Sequence, residues 1–122
     1  MNRRVLLSVM AVVEAGAGVG LAIAPSLTAG LLLGATLDSP AIVVLARVAG
    51  IALFSLAIVC WTARAEDSAL SGRGALMAMF VYNAAVAALL AYASVRLAVG
   101  GPALWPAVLL HAVLAIACFW KK

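Results

Sequence analysis

Charged side chains are scarce in this sequence. Eight basic and four acidic residues make up 10% of the 122 residues, against about 25% in an average soluble domain. Hydrophobic residues account for 68%, and the mean hydropathy is +1.25. A soluble domain of this size could not bury so much apolar surface, whereas a lipid bilayer can cover it. The composition therefore predicts a membrane protein.

Cysteine and histidine are also rare. Cys60 and Cys118 lie inside hydrophobic segments, far apart in the chain, and form neither a CxxC pair nor a disulfide framework. The single histidine, His111, cannot supply the two axial ligands of a bis-imidazole haem. Burial in an apolar core explains the two thiols better than a soft-metal site with His111 does. We expect no metal and no cofactor.

Motifs for catalysis and for nucleic-acid binding are missing. The sequence contains no GxSxG, no HExxH and no P-loop, which argues against the common hydrolase and nucleotide-binding classes. Its basic residues are scattered at the ends of hydrophobic segments, and no basic run carries interleaved aromatics. We expect no catalytic residues, no enzyme activity and no nucleic-acid partner.

The first hydrophobic segment, residues 5–24, has the length of a membrane-spanning helix. Arg3 and Arg4 precede it, Pro25 ends it, and Glu14 lies near its middle. A cleavable signal peptide is the alternative, because the small residues at 22–24 resemble a cleavage site. A proline directly after the cut and a carboxylate within the apolar core oppose that interpretation. We expect the segment to be retained as a helix.

Three further segments predict membrane-spanning helices, at residues 41–62, 75–97 and 103–120. Residues 26–40 are too short to span and predict a loop with a short interfacial helix around 27–33. Asp38, Ser39 and Pro40 then have the pattern of a helix start, with a capping side chain followed by proline. The predicted fold is an all-α polytopic bundle of four transmembrane helices in a single domain, residues 1–122.

The basic residues predict the orientation. If four helices alternate across the membrane and Arg47 is left out as intramembrane, six basic residues fall on one side and only Arg96 on the other; the six are Arg3, Arg4, Arg64, Arg73, Lys121 and Lys122. Positive charge favours the cytoplasmic side. We therefore expect a multi-pass protein of the inner (plasma) membrane with both termini in the cytoplasm. Exporters that insert in both orientations need a nearly balanced charge, and this chain lacks it.

Each predicted span carries one strongly polar residue. These are Glu14, Arg47, Asn83 and His111, with Tyr82 beside Asn83. Ionisable groups at membrane depth usually face protein or water and have a partner. We therefore expect all five side chains to form an intramembrane polar core, in which Arg47 reaches the level of Glu14 and pairs with it. Four glycines, Gly16, Gly18, Gly20 and Gly50, predict close packing between helices.

One resemblance covers most of the chain. Residues 14–25, the glycine-containing apolar loop that follows, and ARVAGIALFSLAIVCW at residues 46–61 resemble small four-helix bacterial membrane proteins described as DoxX-like. Some members of that group are implied as partners of respiratory or redox complexes. The resemblance implies no catalytic residues.

Two functions remain open at this point. The first is a non-catalytic accessory or structural subunit, which packs against membrane lipid and against copies of itself or a larger membrane complex; the resemblance implies a respiratory or redox complex. The second is a proton-coupled small-molecule transporter or channel that uses Glu14 and His111, because carboxylate and imidazole groups at the membrane midplane are usual parts of a proton relay. Room for water at the inner face of the helices would distinguish the two functions, because a transporter needs it and a packed bundle lacks it.

Overall fold

The chain is all-helical in the computed structural model, which describes residues 2–65 and 69–120. In order, the five helices of the described residues are α1 (Arg3–Ile23), α2 (Pro25–Leu33), α3 (Pro40–Ala63), α4 (Ala69–Leu97) and α5 (Leu104–Phe119). Three of them, α1, α3 and the Gly72–Leu97 part of α4, are long and apolar enough to cross a membrane. The helix α5 is equally apolar in character but has only 16 residues.

Two helix starts follow from capping side chains. The Asn2 side chain accepts a hydrogen bond from the Val5 amide at 2.9 Å, so α1 begins at Arg3, two residues earlier than predicted. The Ser39 hydroxyl accepts from the Ile42 amide at 3.3 Å, and Pro40 occupies the first position of α3. Each cap satisfies an amide that has no partner within the helix. The predicted start of the second long helix is confirmed.

The predicted short helix between the first two long ones is also confirmed, as α2. Pro25 separates it from α1 and occupies its first turn. At its other end Gly34 takes a left-handed conformation with φ 63°, which glycine adopts without steric penalty. The amides of Gly101 and Ala103 donate to carbonyls in the last turn of α2 at 3.0 and 2.9 Å. The loop before α5 therefore holds α2 against the end of the bundle.

The helix α4 begins at Ala69, six residues before the predicted start at residue 75. The sequence Ser71-Gly72-Arg73-Gly74 favoured a loop, because glycine weakens helices by about 1 kcal/mol each. In the structure Gly72 is buried, and a side chain there would collide with the guanidinium of Arg3. The lack of a side chain at Gly72 leaves room for the Arg3 guanidinium beside this turn of α4.

The long helices associate as two pairs, α1 with α3 and α4 with α5. The pairs meet at one end of the bundle in an apolar core cluster that draws on all four helices: Leu6, Leu7, Met10, Ala11, Cys60, Ala63, Ala75, Leu76, Met79, Leu114 and Cys118. The N-terminal ends of α1 and α4 and the C-terminal ends of α3 and α5 therefore lie together. Arg3, Arg4, Arg64 and Arg73 belong to this end, and Lys121 and Lys122 lie outside the described residues.

The α1/α3 pair is in backbone contact where Gly18 meets Gly50. A methyl group built on Gly18 would lie 2.7 Å from the Gly50 carbonyl oxygen, and one on Gly50 would lie 2.6 Å from the Gly18 carbonyl oxygen. The absence of side chains thus sets the distance between the helices. The other two glycines of the first segment differ, since Gly20 lies against Thr28 of α2 and Gly16 faces open space.

Candidate functional site

Polar side chains from three helices meet between the two helix pairs, and we call them the polar cluster: Glu14 from α1, Tyr82 and Asn83 from α4, and His111 from α5. Glu14 and Asn83 are completely buried and His111 is 9% exposed. Tyr82 and Asn83 are adjacent, so they point about 100° apart around α4. One therefore reaches α1 and the other reaches α5.

Glu14 and Tyr82 connect the two helix pairs. The Tyr82 hydroxyl donates to Glu14 Oε2 at 3.0 Å. The second carboxyl oxygen, Oε1, is buried and has no hydrogen-bond partner among the described residues. An unpaired buried oxygen is unfavourable, so Glu14 is the least satisfied member of the cluster.

Asn83 and His111 connect α4 with α5, and the network fixes their proton positions. The Asn83 Nδ2 amide donates to the Met79 carbonyl oxygen at 2.7 Å, an acceptor that cannot donate in return. Asn83 Oδ1 therefore faces His111 Nδ1, 2.7 Å away. Because Oδ1 only accepts, Nδ1 must carry the proton. The neutral ring of His111 is thus the Nδ1–H tautomer, which leaves Nε2 as the basic nitrogen.

A ring contact joins the two hydrogen-bonded pairs. The Tyr82 and His111 rings meet edge to face, with centroids 5.7 Å apart and planes at 80°, a favourable arrangement for aromatic rings. The order of contacts is therefore Glu14, Tyr82, His111, Asn83. Carboxylate, phenol and imidazole stand in series and link three helices. The step from Tyr82 to His111 is a ring contact and not a hydrogen bond, so a proton has no direct path along the series.

Arg47 lies outside the polar cluster, which corrects the predicted ion pair with Glu14. Its side chain is exposed, and its Nη1 donates to the Ala22 carbonyl oxygen at 2.5 Å. Ala22 belongs to the last turn of α1, where Pro25 interrupts the helix and a cation is favoured by the helix dipole. Arg47 therefore caps α1, and α3 contributes no side chain to the cluster.

The two cysteines are part of the apolar core cluster. Both are completely buried, and Cys118 Sγ lies 4.0 Å from Met10 Sδ. Among the described residues, no three histidine, cysteine or acidic side chains are grouped so that they could hold a metal ion. The polar cluster and the thiols are thus separate features of the interior.

One contact near the basic end was missed by sequence reasoning. The guanidinium of Arg64 stacks on the Trp61 ring, with Cζ 3.4 Å from the ring centroid, a cation–π contact. Their spacing of three residues on a helix was the available signal.

Comparison with family models, with curated proteins and with solved structures finds no match for this chain.

Proposed function

We propose that this chain is a small, non-catalytic subunit of the bacterial inner membrane, whose polar cluster fixes the arrangement of its helices. The observation that carries this proposal is the complete burial of Glu14 together with its hydrogen bond to Tyr82 across the two helix pairs. A buried polar contact of this kind penalises alternative helix arrangements, because each would leave the carboxyl group without a partner.

The proposed topology has four membrane crossings and both termini in the cytoplasm. Support comes from the four described arginines at the end where α1 begins, since basic residues favour the cytoplasmic side. As the fourth crossing, α5 is short: its 16 residues extend about 24 Å at ~1.5 Å per residue. Its pairing with the longer α4 supports the crossing, because the neighbour covers one side of it.

The proposed partner surface is the outer side of α3. Only 11% of the most apolar stretch of α3 is buried, against 33% for α1. Arg47 is exposed on this helix about 10 Å from its start, at ~1.5 Å per residue, and an exposed charge at such depth favours a protein neighbour over lipid. A second copy of the chain or a larger membrane complex would supply that neighbour. The resemblance to DoxX-like proteins favours a respiratory or redox complex.

Photo-crosslinking in intact membranes tests the assembly. A photoreactive amino acid replaces Val48, which is 55% exposed on α3, and the control replaces Val95, which is 70% exposed on α4. We expect a protein adduct of defined mass from position 48 and only lipid adducts from position 95. Lipid adducts alone at both positions would contradict the proposal that α3 is a partner surface.

A proton-coupled transporter is the second candidate. The specific observation in its favour is the unpartnered Glu14 Oε1, at one end of a series of contacts that leads over the Tyr82 ring to His111. Transport requires water to reach that series from at least one side of the membrane. Three grooves of the described surface follow α1 and α3, and none of them is lined by a member of the polar cluster. These three grooves therefore give water no route to the series.

A further inference from the structure

A row of three open depressions runs along the outside of the α1/α3 pair, with volumes of about 490, 270 and 250 Å³. The first and second share Val12, and the second and third share Phe54. We call this the seam groove. It extends from Arg4 to Ile23 along α1, about 28 Å at ~1.5 Å per residue.

The walls of the seam groove are apolar over most of its length. Valines form one side near its beginning, at Val5, Val9, Val12 and Val13. The middle has small residues between larger ones and no polar lining: Ala11, Ala15, Ala57, Ile58 and Trp61 surround it together with Val12 and Phe54. An apolar surface groove of this kind suits a hydrocarbon chain.

The beginning of the groove is basic. Arg4 and Arg64 both line it, together with Ser8. Arg64 is held over the Trp61 ring. A guanidinium held in place at the groove, with a second one from Arg4 beside it, is suited to a phosphate oxygen. In the proposed topology this end lies at the cytoplasmic interface, where anionic lipid headgroups are found.

We propose that the seam groove binds an anionic glycerophospholipid. Its phosphate lies between Arg4 and Arg64, and one acyl chain follows the groove past Val12. A leaflet supplies about half of the ~30 Å hydrocarbon thickness, so the groove is longer than one acyl chain needs. A free phosphate would leave the valine wall unused, and an apolar helix of a partner would leave both arginines unpaired. The proposal rests on the proposed membrane topology.

Quenching of Trp61 fluorescence by brominated lipid tests this. The background carries Trp105→Phe and Trp120→Phe, so that Trp61 is the only tryptophan, and the protein is placed in zwitterionic vesicles. The vesicles contain a small fraction of brominated lipid, which is anionic in one preparation and zwitterionic in the other. We expect stronger quenching by the anionic lipid, normalised to vesicles without bromine. Arg4→Gln and Arg64→Gln should each weaken the apparent affinity about five-fold.

The matched control is Arg73→Gln, which removes the same charge from the same end of the bundle but lies outside the groove. It should keep the preference for anionic lipid. Ala15→Leu, which narrows the middle of the groove, should reduce quenching while both arginines remain. Equal quenching by the two lipids, equal loss in Arg73→Gln, or full competition by glycerol phosphate would each overturn the proposal.

The outcome is separable from that of the proposed function. Val48 does not line the seam groove, and Arg4→Gln, which weakens lipid binding, should leave the protein adduct at position 48 unchanged. Adducts at position 48 without any lipid preference at Trp61 would remove the lipid site and leave the subunit. A preference for anionic lipid without protein adducts at position 48 would keep the lipid site and remove the proposed partner surface.

Discussion

Among single residues, Tyr82 links the two helix pairs within the polar cluster, because it bonds to Glu14 and packs against His111. Tyr82→Phe keeps the ring and removes the donor, so Glu14 is left with two unpaired oxygens. We expect a loss of about 1 to 2 kcal/mol in the free energy of unfolding, measured in detergent. The control, Tyr92→Phe, alters a ring that is 55% exposed, and its effect should stay below about 0.5 kcal/mol. Equal effects of the two changes would contradict the role given to Tyr82.

The tautomer of His111 is a second test at the residue scale. Since the chain has one histidine, ¹⁵N-histidine labelling reports this ring alone. At a pH where the ring is neutral, we expect the proton on Nδ1, held by Asn83 Oδ1. Asn83→Leu removes the acceptor and should give a mixture of tautomers. A wild-type spectrum dominated by the Nε2–H form would show that the deduced network is wrong.

Sequence reasoning could identify which polar residues lie at membrane depth. It could not predict which of them contact one another, because depth does not show the direction in which a side chain points. Glu14, Tyr82, Asn83 and His111 lie together because each is an isolated polar residue that needs a partner in an apolar interior. Arg47 is also an isolated polar residue at membrane depth, and it was therefore predicted to join them. Its long side chain instead reached the free carbonyl at the end of α1, and the sequence does not show where one helix ends beside another.

Among the helices, the α1/α3 crossing depends most strictly on residue size. Gly50→Ala places a methyl group 2.5 Å from the Ala22 amide nitrogen, so the helices must separate. We expect a loss of about 1 to 3 kcal/mol in the free energy of unfolding. Gly16→Ala is the control, because its methyl group meets nothing within 4 Å and alanine favours the helix by up to about 1 kcal/mol. If both variants unfold like the wild type, close glycine contact does not hold this pair together.

Helix boundaries were predictable where local chemistry decides them. Pro25, Ser39 and Pro40 act on their own neighbours, and the starts of α2 and α3 follow. The predicted start of α4 at residue 75 was wrong, since the helix includes Gly72 and Gly74, and the low helix propensity of glycine does not decide this boundary. Likewise Gly16 and Gly18 look alike in sequence, and only the position of α3 distinguishes the exposed one from the buried one.

For the whole molecule, the proposed function requires an interior that is packed and closed to water. The polar cluster joins the two helix pairs, and the apolar core cluster lies between it and the basic end. A transporter would need an aqueous path through that region. Hydropathy could predict an all-helical membrane protein, but it could not say whether the inward polar groups face each other or a water-filled cavity.

Thiol accessibility in intact membranes tests whether the interior of the bundle is closed to water. Cys60 and Cys118 are completely buried in the core, and Ala115→Cys adds a thiol one turn from His111 at a position 7% exposed. A small, charged thiol reagent should leave all three unmodified while the protein is folded and modify them after denaturation, whereas Ser39→Cys, at the half-buried start of α3, should react readily. Rapid modification of the interior thiols in the folded protein would reveal a water path and favour the transporter.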